Sequence, residues 1–339
     1  MASIDPALSD RAGASGERTL AGRERAGIWV LGLAAAAIWI GVAALIELWP
    51  EIIPQPYGRE LAIIALVIAL GLIVVAATGR LLGAVATTTR YYGPWLIAGA
   101  LVVAGWEIVT AKTGLLPVPF FSSPQSILEV FFDDWGRLGT SVWYSVLLLA
   151  KGYFFGALAG FVTGVTIGWS QAASYWVHPV LRLIGPLPAT AWLPLAFFIF
   201  PTSGSASVFL IALATAFPVT ILTWSGIASV NRDYYDIART LGAKPSFLIL
   251  KVAIPAALPH VFVGLFMGLG TSFAVLVVAE MLGVKAGLGW YLQWAQGWAA
   301  YNNMYAALLV MALMCSGLIT ILFRVRDWTL SWQKGLVRW

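Results

Sequence analysis

Residues 27–46 run for twenty positions without a charged side chain. A helix of about that length crosses about 30 Å of hydrocarbon, and lipid admits only helices and closed barrels because nothing else satisfies its own backbone. Comparable apolar runs follow at about 61–79, 92–110, 145–168, 177–200, 205–227, 260–280 and 304–323. Eight such spans predict an all-α, polytopic membrane protein. Only 10% of the chain is charged, against about a quarter in a soluble domain, and mean hydropathy is +0.86. A cleaved signal peptide competes for the first run. That run exceeds the apolar core of about 7–15 residues a signal carries, and a second span follows it, so it is read as retained.

Eight spans place both termini on one side. That side collects Arg11, Arg18, Arg23 and Arg25 before the first span, Arg80 and Arg90 after the second, Arg232, Arg239, Lys244 and Lys251 after the sixth, and Arg324, Arg326, Lys334 and Arg338 at the end. The other side has Arg59, Lys112, Arg137 and Lys285, among Glu47, Glu51, Glu60, Glu129, Asp133 and Asp134. Lys and Arg accumulate in cytoplasmic loops. Both termini and the loop at 231–259 are therefore expected in the cytoplasm. This scatter also accounts for a pI near 9.4 without a nucleic-acid-binding patch. Cys315 stands alone in an apolar run, which excludes a disulfide framework and reads as a buried structural thiol.

The loop at 231–259, NRDYYDIARTLGAKPSFLILKVAIPAALP, is the longest charged stretch between spans in the second half of the chain. Asp233 is placed to cap a helix, with Asp236 three residues on as a weak capping box. Tyr234, Ile237, Ala238 and Leu241 fall at i, i+3, i+4 and i+7, one apolar face. Gly242 stands where a left-handed residue closes a helix, and Pro245 suits the first turn of a second. That second helix should reach about Val252 and stop at Pro255 and Pro259. The apolar face is too short to span, and is best buried against a partner on one side of the membrane.

Gly152, Gly156, Gly160, Gly164 and Gly168 recur every four residues, as do Gly264 and Gly268. Such ridges let helices approach closely, and packing within the chain is favoured over a dimer seam. Trp290, Trp294, Trp298 and Tyr301 form an aromatic stripe, read as one short helix at the outer interface. Glu107, Lys151, Arg182 and Glu280 lie near span ends and are read mostly as snorkelling. The fifth span is broken by Pro186, Pro188 and Pro194 around Trp192. Irregular backbone at membrane depth is tolerated where it lines a cavity, so Pro188, Trp192 and Pro194, with Glu280, are the pathway candidates. His178 and His260 are too far apart to indicate a metal site. No paired carboxylates, nucleophile elbow or Cys/His cluster marks a catalytic centre, which argues against an enzyme.

The loop resembles the EAA loop of ABC-transporter permeases, in which E-A-A, three residues, Gly, nine residues and I-x-L-P recur. Here these are Asp236, Ile237 and Ala238, then Gly242, then Val252, Ala253, Ile254 and Pro255. Asp replaces Glu, Ile replaces the first Ala, and every spacing holds. The blocks SSPQSILEVFF, GFVTGVTIGWSQ, PLPATAWLPLAFFIFP, ARTLGAKPSFLILKVAIPAALPHVFVGL, AEMLGVKAGLGW and the closing VRW look like the nitrate, sulfonate and taurine branch of binding-protein-dependent importers. The resemblance covers 90–339, a six-span type I importer core. It leaves 1–26 as a cytoplasmic tail and 27–89 as two added transmembrane helices.

The resemblance implies a multi-pass subunit of the cell (inner) membrane that pairs with a second copy of a permease. It also implies a cytoplasmic ATPase dimer holding ATP and Mg, and a periplasmic or surface-anchored substrate-binding protein. In that setting Gly242 sets the angle between two loop helices, Tyr234, Asp236, Ile237, Ala238 and Leu241 face the ATPase, and Pro255 closes the motif. The chain contains no G-x-x-x-x-G-K-[ST] phosphate cradle, so ATP hydrolysis is expected elsewhere. Glu280, in the AEM block, is also open to a structural reading. Cargo is expected to be a small anion such as nitrate, a sulfonate or taurine, with pyrimidine precursors or aromatic carboxylates as alternatives. An ATP-independent secondary transporter would want an internal repeat, which is not found, and a membrane-embedded enzyme lacks a catalytic constellation.

Overall fold

The computed structural model describes residues 29–78 and 83–333, and every regular element among them is helical. The tail at 1–26, Arg80, Lys334, Arg338 and the closing VRW lie outside the described residues. The chain forms two compact units, residues 1–129 and 130–339.

The first unit contains α1 (Val30–Leu48), α2 (Gly58–Thr78), α3 (Gly83–Tyr91) and α4 (Gly93–Glu107), the last prolonged by a π turn, Ile108–Lys112. α1 packs on both α2 and α4. Ala35, Ala36, Ala43, Ala62, Ala65, Ala69 and Ala100 fill these contacts, and their small side chains permit close helix approach. The π turn swings Lys112 under the end of α1, where Nζ donates to Ile46 O at 3.0 Å and Trp49 O at 2.7 Å. A cation there satisfies carbonyls that the last helical turn leaves free. Glu107 Oε1 lies 3.4 Å from Nζ and Glu51 Oε1 lies 3.8 Å from it. Gln125 Nε2 donates to Glu51 at 2.9 Å and Glu107 at 3.2 Å. Glu107 is fully buried, which corrects the snorkelling expectation: its partners hold it inside.

Helix α5 (Pro124–Asp133) leads into the second unit. There follow α6 (Trp135–Trp169), α7 (Gln171–Ile184), a 3-10 turn (Ala189–Trp192), α8 (Leu193–Ile199), α9 (Ser203–Ala228), α10 (Arg232–Thr240), α11 (Ile254–Leu282), α12 (Leu288–Gly297) and α13 (Tyr301–Thr329). The glycine ridge of α6 lies against α9. A Cβ at Gly156 would stand 2.4 Å from Ala212 O, and one at Gly160 2.6 Å from Ala216 O. Gly152 meets Ile211, Gly164 meets Thr223 and Gly168 meets Ile227. Partner numbers rise together, so α6 and α9 are parallel. Gly226 meets Ala257 and His260 while Gly268 meets Thr215, so α11 is antiparallel to α9. α9 is the centre of the unit, with Leu210, Ile211 and Val219 fully buried.

The parallel pair fixes the span count. Residues 170–202 must carry the chain from the far end of α6 back to the start of α9, whose 26 residues measure about 39 Å. α7 and α8 do this together, bent by 87° across their break. Seven single helices are long and apolar enough to cross a membrane, and the bent pair makes the eighth span among the described residues. The bend falls at residues 185–188, where Gly185 is still helical and Pro188 is extended, with φ −62° and ψ 139°.

Several boundaries differ from expectation. α6 begins ten residues before the expected span at 145, which leaves Lys151 in mid-helix. Pro255 and Pro259 do not stop the helix. A helical turn at Pro245–Phe247 and a π turn at Leu248–Ala253 run straight into α11, giving a continuous 38-residue span. Pro255 sits at the first turn after the π segment, where its missing N–H is least costly. The aromatic stripe is not one helix, because Trp298 caps α12 and Tyr301 opens α13. The buried face of α12 is Leu288, Tyr291 and Ala295, with Trp290 and Trp294 partly buried beside it. Cys315 is half-buried on α13.

Candidate functional site: a helical loop at one end of the second unit and a carboxylate clasp at the other

The loop forms because its caps work. Asn231, not Asp233, is the N-cap of α10, its side chain accepting from Asp233 N at 3.0 Å. Asn competes as well as Asp for this role, and Asp233 then falls in the first turn, where a negative charge meets the helix dipole. At the other end Gly242 has φ +82°, Gly242 N donates to Arg239 O at 2.9 Å and Ala243 N donates to Ala238 O at 3.0 Å. This is a Schellman closure with glycine in the left-handed position. Lys244 is extended and Pro245 starts the next helical turn, as expected.

Helix α10 is held from beneath. The Tyr235 ring stacks edge-on against Trp169, at 5.8 Å between centroids, in a cluster with Ile227, Ala253 and Ala257. Burial pushes the Tyr235 hydroxyl pKa above its ordinary value. Ala238 is half-buried, and Asp236 is exposed with Arg239 at 3.4 Å. The opposite face is open. Tyr234 and Ile237 are more than half exposed and Leu241 is 83% exposed. Phe247 and Leu250, from the helical segment after the turn, are also exposed. Sequence periodicity over α10 misses these two because they belong to the next element. Pro255 is half-buried in the span.

The pathway candidates are dispersed. Pro188 is exposed at the bend, and Pro194 is exposed in the first turn of α8. Trp192 is half-buried against the main core, with Nε1 buried and lacking a hydrogen-bond partner. Glu280 is elsewhere. It is 1% exposed, with Ser145 Oγ 2.7 and 2.9 Å from its two carboxylate oxygens and Gly289 N donating at 2.8 Å. Leu288 N donates to Ser145 Oγ at 2.8 Å, so the clasp ties α6 and α11 to the start of α12. An anion at a helix N-terminus meets free N–H groups and the positive end of the dipole. Gly287, at φ +106°, leaves room for it, because a Cβ there would lie 2.3 Å from Glu280 Oε1. Glu280 thus fastens three helices in a closed polar contact. Ser145, 135 residues distant, carries no sequence signal for this role.

A second polar contact lies nearby. Tyr291 Oη donates to Asp134 Oδ2 at 2.8 Å, Asn303 Nδ2 bonds both, and the Arg137 guanidinium lies over the Trp294 ring at 4.6 Å. Burial raises the Tyr291 hydroxyl pKa further from the neutral range.

Residues 152–331, more than half of the chain, match the family described as binding-protein-dependent transport system inner membrane component. The match takes in the glycine ridge, the bent span and the loop at 231–259. The nitrate import permease protein NrtB of Synechocystis sp. is 30% identical over 242 residues, 68% of this chain and 86% of that protein. The putative aliphatic sulfonates transport permease protein SsuC of Bacillus subtilis is 29% identical over 221 residues, covering 65% and 80%. The bicarbonate transport system permease protein CmpB of Synechococcus elongatus is 28% identical over 251 residues, covering 70% and 86%. The chain belongs to the family of binding-protein-dependent transport system inner membrane components, as an ABC importer permease of the nitrate and sulfonate class.

Proposed function

We propose that this chain forms half of a translocation pathway and is driven by a cytoplasmic ATPase dimer seated on the loop at 231–259. Tyr234, Ile237 and Leu241, with Phe247 and Leu250, are the contact face. Asp236 and Arg239 border it, Ala238 roots it, and Gly242 sets the angle between the helices. The observation that carries this reading is the combination of an open apolar face and a rigid base. Tyr235 fixes α10 to the ends of α6 and α11, so a push on the open face moves spans rather than bending a loop. Exposed apolar clusters rimmed by charge mark contact sites for other proteins.

Both termini and the loop are cytoplasmic in this account, as the distribution of Lys and Arg favours, and the membrane is the cell's inner one. ATP and Mg are held by the ATPase, and a substrate-binding protein delivers cargo at the opposite face to a pair of permeases. The cargo is a small anion, the kind named for NrtB, SsuC and CmpB. Pro188, Trp192 and Pro194, at the bend, are proposed as lining of the route. The proposed division is a cytoplasmic tail at 1–26, two added helices at 27–89 and the permease core from residue 90 onward.

Gly242→Pro tests the coupling. Proline fixes φ near −65° and removes an N–H that is bonded here, so the turn cannot form, while the spans keep their apolar runs. In membrane vesicles the variant should insert normally and lose ATP-driven uptake. Wild-type uptake in this variant contradicts the assignment.

A further inference from the structure

At the end of the second unit away from the loop, two cavities adjoin. One, of about 730 Å³, lies between α6 and the start of α9, lined by Lys151, Phe155, Thr202 and Ser205. The other, of about 560 Å³, is lined by Arg137, Thr140, Lys285 and Trp290. Tyr144 and Ala286 belong to both walls. Two of the four cations that the sequence places on the outer side therefore converge here with Lys151, one of the few charged residues inside a span.

The arrangement is graded. Arg137 lies about 21 Å before Lys151 along α6, and Lys151 sits beside Gly152, which meets Ile211, about 12 Å into α9. Arg137 shares its charge with Asp134, 3.8 Å away. Lys285 and Lys151 have no ion-pair partner among the described residues. The nearby carboxylate, Glu280, is closed off by Ser145 and Gly289. The walls thus set Lys151, Arg137 and Lys285 with the hydroxyls of Thr140, Thr202 and Ser205 on a lining that is mostly apolar in the larger cavity. A cleft with low-dielectric walls and one sign of charge concentrates the opposite ion.

We propose that these adjoining cavities are an outer vestibule for a small oxyanion, with Lys285 receiving it and Lys151 holding it next to the span core. The proposal rests on the importer reading and names the residues of this chain that choose the charge of its cargo. A lysine that only snorkels to the lipid surface would contribute nothing to uptake.

The test uses the permease assembled with its ATPase and binding protein in liposomes, with labelled nitrate, bicarbonate and methanesulfonate as probes. Lys151→Met should raise the KM for the imported anion about ten- to a hundredfold, the range of one charge-assisted contact. Lys285→Met should raise it less, and Lys151→Arg should restore most of the loss. Purification of each complex shows whether the variant has folded. Wild-type KM in Lys151→Met, equal loss in Lys151→Arg, or wild-type uptake of none of the probes despite a working ATPase overturns the vestibule and leaves the importer reading intact. A wild-type preparation with no ATP-dependent uptake and no associated ATPase overturns both.

Discussion

Ser145 and Glu280 meet at 2.7 Å across 135 residues of chain, joining the N-terminal half of α6 to the last turn of α11. The serine hydroxyl also accepts from Leu288 N, so a single side chain orders three elements. Its removal leaves a buried carboxylate short of a donor, a loss of about 1–3 kcal/mol. Ser145→Ala should therefore lower the thermal unfolding midpoint of the purified protein. Gly287→Ala should lower it further, since its Cβ would intrude on the carboxylate at 2.3 Å and its φ is +106°. An unchanged midpoint in both variants would remove the clasp from the account.

Glycines of α6 differ by position. At Gly156 an added methyl would stand 2.4 Å from Ala212 O, so Gly156→Ala must push α9 away, and overpacking of this kind costs about 1–3 kcal/mol. At Gly139 nothing lies within 4 Å, so Gly139→Ala should be neutral or stabilising by up to about 1 kcal/mol. Unfolding measurements on the pair separate helix contact from helix propensity. Equal effects would contradict the parallel α6–α9 register, and with it the need for residues 170–202 to recross the membrane.

Lys112 neutralises Glu107 inside the first unit and caps α1. Lys112→Met leaves a buried carboxylate without its cation, which typically costs about 3–5 kcal/mol. Adding Glu107→Gln should recover much of that loss, because the uncompensated charge goes with it. A double variant no better than the single would show that the capping of Ile46 and Trp49 carbonyls dominates. Protease resistance of residues 29–129 in membranes reports either outcome.

The spans were legible in the sequence because lipid imposes one rule on twenty consecutive residues. The turn at Gly242 was legible because helix closure has a local grammar, and its positive φ follows from it. The cap moved from Asp233 to Asn231 because both side chains suit the role and two residues separate them. Pro255 and Pro259 misled because the π turn at Leu248–Ala253 absorbs the first, and i→i+5 bonding leaves no residue signature. Glu107 and Glu280 looked like surface-seeking ends of spans. Their partners, Lys112, Gln125 and Ser145, are assembled by tertiary contact, which periodicity does not report.

The proposed function stands on an ATPase seated on the open face of α10. The direct measurement is capture of the tagged chain from native membranes, comparing wild type with Ile237→Asp/Leu241→Asp. Both positions are exposed, so the spans should form unchanged, while two carboxylates on the face should prevent burial against a partner. The account predicts an ATPase subunit captured with wild type and lost from the double variant at equal membrane abundance. Equal capture by both would contradict it.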